Sequence, residues 1–445
     1  MDGGAAPRGT TALDAADHLT ALLRRPVDTA SRRVAASQVL DWAACAIAGM
    51  DSQAARAHQA AAAAHGAGPC AALGAGWLAA PGAILANAAP ANLLEMDDVD
   101  RQAMLHCGPV VVPAALAVAE ASGSGAAALL DAVVRGDEAM MRVGRAAGPG
   151  HYRMWHPTAT CGPFGAAAAC ASLLQLPPDA TAHALRLAGT QASGPWQVRH
   201  GPNDGKQLHA ARAAHAGWLA ATLAAAGAAG PRAMLEGEQG FFAALCPDPV
   251  PEMLLAEGDW LVHDIGFKPW PACRHTHAAI DAALQFASVP AGPITVETYA
   301  SALAMCDNPH PSTPLEARFS LQHAVAVSLL DGPPGLAAFD AYARPDIAAL
   351  RDRITVRLDP VDGAAYPPRF AARLHADGRS VHVPDALGDP ANPLPPGALA
   401  AKARMLLQAA RYSHPDALIS ATLALADDAP IAAFTALLPT QMESP

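Results

Sequence analysis

The sequence predicts a mainly α protein, a large helical body accompanied by a smaller α+β domain. Three observations carry this. Apolar residues recur at helical spacing from about residue 30 to residue 230, alanine and glycine are dense in that stretch, and beyond Pro269 the pattern changes to period two. The chain of 445 residues is 52% hydrophobic, enough for a large core, and only 16% charged, which excludes a disordered polymer. Its length allows two or three domains at roughly 100–200 residues each.

The elements follow in order. The first residues, MDGGAAPRGTTALDAADHL, have neither the basic nor the apolar segment of an export signal and are expected to be a frayed tail. Ser31 is placed to cap a helix with Val34, Leu40, Ala44 and Ile47 at helical spacing, stopping at Gly49. Residues 57–94 carry no charged side chain, but His58, His65, Pro69, Pro81, Asn87 and Pro90 interrupt them. A membrane span needs roughly 20 predominantly apolar residues, so this stretch is assigned to the helical body. Pro113 opens a further helix ending at Gly123-Ser124-Gly125, and residues 126–147 form another with Leu129, Val133, Met140 and Val143 on one face. The Ala- and Gly-rich runs 162–174 and 209–227 allow helix axes to approach closely.

Beyond Pro269, residues 294–298 and 354–358 alternate with period two, and 370–383 contain an Asp377-Gly378 pair suited to a type I′ hairpin. Leu315–Leu330 has helical spacing, and Asp389–Pro396 reads as a linker. The last segments, 398–410 and 414–425, are helical again and are expected to pack back on the first domain.

Charge and cysteine usage narrow the function. The net charge of −11, without any Lys/Arg cluster, removes the electrostatic term on which nucleic-acid binding depends. Eight cysteines without a CxxC pair read as reduced, buried thiols in a cytoplasmic protein.

Charged residues are few, so their clustering is informative. Glu95-Met96-Asp97-Asp98-Val99-Asp100 is followed by His106, then by Trp155-His156-Pro157, Lys206-Gln207-Leu208-His209 and Phe267-Lys268 through Arg274-His275-Thr276-His277. Acidic, imidazole and cationic groups at element ends suit proton abstraction next to a carboxylate, which needs cations for the developing enediolate and a base and an acid of separated pKa. Each group also has an ordinary structural role: a solvated helix end for 95–100, a loop residue for His156, a hydrogen bond within the bundle for His209, a hinge for 267–277. His275 and His277 lack a third metal ligand at fixed spacing, and Gly66-Ala67-Gly68 and Gly74-Ala75-Gly76, in a helical context, lack the full phosphate-loop pattern. The serine elbow GxSxG is missing, and Cys161 beside His156 is a weak nucleophile candidate. Chemistry without metal or cofactor is therefore expected.

The segments WHPTATCGPFGAAAA (155–169), KQLHAARAAHAG (206–217), LEGEQGFF (235–242), FKPWPACRHTHAAIDAAL (267–284) and EARFSLQHAVAVSLLDG (316–332) resemble, in order, the MmgE/PrpD family of 2-methylcitrate dehydratases, cis-aconitate decarboxylases and iminodisuccinate epimerases. The resemblance implies a large all-helical domain formed by both chain ends (1–268 plus 397–445), an inserted α+β lid domain (269–396), a homodimer, no cofactor, and a small polycarboxylic acid as substrate. It implies His156 as catalytic acid or base, Asp98 and Glu95 as orienting or relay groups, and His106, Lys206 and Lys268 as carboxylate holders, supported from the lid by Arg274 and His277. Decarboxylases of the family carry a tyrosine where Met305 stands and a histidine where Cys273 stands. A hydro-lyase similar to 2-methylcitrate dehydratase is therefore the expected activity. The alternatives are an epimerase, whose branch resembles Gly150-His151-Tyr152, a carboxy-lyase, and an acid-binding dimer that has lost its chemistry.

Overall fold

The computed structural model describes residues 14–200 and 203–441, so the tail expected at the N-terminus lies outside the described residues up to residue 13. The chain is 56% helical and 9% strand, mainly α as its periodicity predicts. The helical part comprises α1 (Ala15–Leu23), α2 (Thr29–Gly49), α3 (Gln53–Ala63), α4 (Ala80–Ala88), α5 (Gly108–Ser122), α6 (Ala126–Ala146), α7 (Pro157–Leu173), α8 (Pro178–Gly189) and α9 (Gly205–Ala225).

Helix α7 lies against α5, α6, α8 and α9, and small residues set the approach. A Cβ built at Gly217 of α9 would stand 2.5 Å from both Ala166 Cβ and Pro163 O of α7, and one at Gly165 would stand 2.7 Å from Met140 Cβ of α6. Such separations leave no room for a methyl group, so glycine is what lets these axes meet.

Three local expectations change. Asp28, not Ser31, caps α2: its carboxylate accepts the Ser31 backbone N–H at 2.8 Å, so the helix starts one turn earlier. Helix α5 starts at Gly108, with Pro113 inside it. The Gly108 N–H is satisfied from outside the helix by the Asp98 carboxylate at 2.9 Å, a cap that no local sequence signal shows. The uncharged stretch is not continuously helical. It contains an antiparallel ribbon of β1 (Ala67–Ala72) and β2 (Gly76–Leu78), bounded by Gly66, Gly74 and Gly76 at positive φ. Both glycine pairs thus lie on a ribbon, whose Gly74 and Gly76 N–H groups donate to Pro439 O and Thr440 O at 2.9 and 2.6 Å.

The second part is built on a four-stranded sheet in the order β4-β3-β5-β6, with β3 (Ile294–Thr298) parallel to β4 (Ile354–Leu358) and antiparallel to β5 (Ala372–Ala376), which pairs with β6 (Arg379–Val383). Asp377 and Gly378 at φ 49° and 75° make the expected hairpin turn. The alternating face of β3 buries Ile294 and Val296 with Leu374, Leu321 and Val325. The helix expected over 315–330 is two, Pro314–Arg318 and Leu321–Asp331, because Ser320 turns the chain and caps the second by accepting the His323 N–H at 3.0 Å.

The C-terminal helices Ala398–Ala409 and Pro415–Leu423 return to α2. There Lys402, buried, reaches Asp41 Oδ1 at 2.6 Å and the Met96 carbonyl. The expected linker is anchored at its first residue: Asp389 is buried and paired with Arg274 at 2.5 Å and Arg101 at 3.3 Å. Among the described residues, no helix is long and apolar enough to cross a membrane. All eight cysteines are buried and none forms a disulfide.

Candidate active site

The loop between residue 93 and α5 supplies the acidic half of the site. Its chain turns at Glu95, held at φ 55°, a conformation costly outside glycine. Glu95, Asp97 and Asp98 are each at most 2% exposed, so none is a solvated helix end. His156 precedes α7 with Pro157 at the first helical position, and the extended backbone that proline imposes on it lets its N–H donate to Gly194 O at 2.9 Å. Lys206 enters from the first turn of α9, and Lys268, Cys273 and Arg274 from the segment leading into the sheet.

These groups converge on one narrow cavity of about 30 Å³. Glu95, His106, His156, Lys206, Lys268 and Arg274 line it, together with an aromatic wall of Tyr152, Trp196, Phe319 and Phe370. The Lys206 ammonium pairs with Glu95, and Lys268 Nζ lies 3.5 Å from Glu95 and 3.4 Å from Asp97. His106 Nδ1 is 2.5 Å from the Asp98 carbonyl and 3.3 Å from Asp97 Oδ2. A carbonyl only accepts, so neutral His106 carries its proton on Nδ1. Cys273 and Met305 also face the cavity.

Electrostatics separate these groups. Burial pushes the Glu95 carboxyl up, but Lys206 and Lys268 outweigh it and hold Glu95 below its ordinary range; His106 and the two lysines do the same for Asp97. Lys268 is stabilised as a cation by Asp97 and Glu95 against the opposing effect of burial. Burial lowers His106 to about 4 and, helped by Lys206, His209 and His106, lowers His156 well below 6.5. The cavity thus sets a neutral imidazole among fixed ammonium groups.

Two expected site residues lie elsewhere. Asp98 does not line the cavity; it accepts from Gly108 N–H at 2.9 Å and Gln38 Nε2 at 2.9 Å, and burial, with Asp41 adding, pushes it up to about 7. His277 stands behind Arg274: its Nε2 donates to Ala272 O at 3.1 Å and its Nδ1 accepts from the guanidinium at 3.1 Å. Conversely, two residues outside the predicted set belong to the site's network. Asp97 pairs with Lys268 and His106, and His209 is not an ordinary bundle histidine but meets His156, Nδ1 to Nδ1, at 3.1 Å. His209 follows Lys206 by one helical turn, which was the available signal. Among the described residues, no group of three or more His, Cys, Asp or Glu side chains could hold a metal ion.

Fold and cavity define a mainly helical protein that encloses a narrow cleft lined by charged groups. The model of the MmgE/PrpD N-terminal domain matches residues 14–254 and that of the MmgE/PrpD C-terminal domain residues 270–425, and the chain belongs to the MmgE/PrpD family. It is similar to cis-aconitate decarboxylase of Homo sapiens (29% identical over 224 residues, 47% of this chain and 46% of the relative). It is also similar to cis-aconitate decarboxylase of Aspergillus terreus (27% over 324 residues, 65% and 66%) and a cis-aconitate decarboxylase-like protein of Aspergillus oryzae (33% over 171 residues, 36% and 35%). The matched stretches thus span from about a third to two thirds of these relatives. The Homo sapiens and Aspergillus terreus relatives are, by name, decarboxylases, that is, lyases.

Proposed function

We propose that this chain is a lyase that removes a proton from the carbon next to a carboxylate of a small polycarboxylic acid. The observation that carries the reading is a neutral His156 facing the same cavity as the Lys206 and Lys268 ammonium groups. His156 takes the proton, and the electron pair left on carbon spreads into the adjacent carboxylate as an enediolate. Lys206 and Lys268 hold the substrate's carboxylates, Glu95 and Asp97 keep the ammonium groups charged and placed, and Asp98 and His277 act through α5 and Arg274. His106, expected from the sequence to hold a carboxylate, is neutral and donates its Nδ1–H to the Asp98 carbonyl, so its Nε2 accepts from a substrate hydroxyl instead. Donors aimed at the developing charge contribute about 3–4 kcal/mol each.

The preferred outcome is loss of water: the electron pair returns to form a carbon–carbon double bond and the leaving hydroxyl departs with a proton. Cys273 and Met305 support this branch, since they put a thiol and a thioether where the resemblance gives decarboxylases an imidazole and a phenol. The second reading is loss of carbon dioxide, favoured by the names of the relatives. An NMR turnover screen over 2-methylcitrate, citrate, cis-aconitate and iminodisuccinate separates loss of water, loss of carbon dioxide and stereochemical change. Substituting His156→Gln is expected to abolish the product observed. Unchanged turnover in a folded variant would overturn the assignment of the base.

A further inference from the structure

The contact between His156 and His209 has a chemical consequence beyond proximity. Two nitrogens 3.1 Å apart share one proton, because two N–H groups facing each other repel and two lone pairs do not bond. Both rings are kept neutral: burial, with Arg212 and Lys206 adding, lowers His209 to about 4, and His156 is lowered further by its own surroundings. The shared proton therefore has two positions, with opposite results at the cavity. If His209 Nδ1–H donates, His156 accepts at Nδ1, carries its own hydrogen on Nε2, and has no lone pair left for the cavity. If His156 Nδ1–H donates, its Nε2 is a proton acceptor.

We propose that His209 is a positioning residue that accepts the Nδ1–H of His156 and so fixes the tautomer in which His156 Nε2 is the base of the cleft. This rests on the reading of His156 as the base. The arrangement is the one in which a proton can arrive without rearrangement. A proton gained at Nε2 leaves the Nδ1–H···Nδ1 bond intact, and the imidazolium is stabilised by its neutral acceptor. In the other arrangement the incoming proton could bind only at Nδ1, where it would break that bond. The surroundings hold the two rings in this register. Trp196 packs on His156 with ring centroids 4.4 Å apart, the His156 backbone is tied to Gly194, and the site where a Gly194 Cβ would stand is 3.4 Å from the His209 ring. The charged and titratable groups facing the pair are the Lys206 and Arg212 cations, from the same helix as His209, and the neutral His106 imidazole from the acidic loop. None is a carboxylate, so the acceptor of the His156 proton is an imidazole where many imidazole bases have an acid.

Nitrogen NMR of the full-length protein labelled with 15N-histidine tests this without any substrate. His156→Gln identifies the His156 resonances by their disappearance. The expected wild-type spectrum at neutral pH shows His156 protonated at Nδ1 and unprotonated at Nε2. In His209→Phe the two forms should become mixed or reverse, and His209→Asn, whose side-chain oxygen can accept, should restore the wild-type pattern. A His156 found protonated at Nε2 in the wild type overturns the proposal, whether or not either variant folds. So does a pattern unmoved in folded His209→Phe. Turnover gives the second reading: His209→Phe is expected to lower kcat by about 10²-fold with KM little changed, on the scale of a general-base contribution, and His209→Asn to recover most of it. If His156→Gln keeps full activity while the nitrogen pattern is as expected, the tautomer assignment stands and the base assignment alone fails.

Discussion

A buried imidazole pays for charge in desolvation, and this governs the site at the scale of single residues. His106 and His209 are lowered to about 4, His275 to about 3, and His156 well below 6.5, in each case by burial first and by neighbouring cations in addition. A lowered imidazole pKa means that the neutral, proton-accepting form persists to lower pH than in an ordinary histidine. Lys268 is raised from 10.5 and remains a cation on the alkaline side. The expected kcat/KM profile is therefore flat on both sides of pH 6.5, with its acid limb well below that value. An acid limb with an apparent pKa at or above 6.5 in the measured profile would contradict the assignment of His156 as the base. Carboxylates follow the opposite rule, as Asp98 shows. Buried without a cation of its own, it is pushed up to about 7, while Glu95 and Asp97, equally buried, are held down by lysines and His106.

At the scale of elements, what places His156 and Lys206 together is the contact between α7, which His156 immediately precedes, and α9, whose first turn carries Lys206. Gly217 on Ala166 and Pro163, and Gly165 on Met140, bring the helices to a separation that alanine would not permit. Gly217→Ala gains helix propensity but forces a methyl group to within 2.5 Å of α7 atoms. It is expected to destabilise by about 1–3 kcal/mol, read from urea denaturation. Gly335→Ala, whose Cβ would meet nothing within 4 Å, serves as the control and should be near neutral. Helix α5 shows the same dependence on distant groups. Its first N–H is capped by Asp98, ten residues earlier, and that bond joins the helix to the acidic loop that carries Glu95 and Asp97.

At the scale of the whole molecule, the C-terminal helix Ala398–Ala409 closes the helical body through Lys402, which joins Asp41 of α2 to the Met96 carbonyl of the acidic loop. Burial raises the Asp41 carboxyl, and Lys402 pulls it only part of the way back. Lys402→Met leaves that acid buried without its cation and is expected to cost about 3 kcal/mol. The double variant Lys402→Met/Asp41→Leu should recover most of the loss in urea denaturation; a single variant as stable as wild type would show that the pair does not hold the termini together. By itself, the sequence determined the mainly helical character, the period-two strands around 294–298 and 354–358, the Asp377-Gly378 hairpin and the motifs that contain Glu95, His106, His156, Lys206 and Lys268. These are local signals, set by side-chain period, turn geometry and the scarcity of charge. Only the tertiary structure decided that Asp98 faces α5 and His277 faces Arg274 instead of the cavity, that Asp97 and His209 join the site, and that residues 67–78 pair as a ribbon under the C-terminal segment. In each case the deciding partner is a hydrogen-bonding or charged group supplied by the fold, and what a polar side chain does once buried depends on which group meets it there.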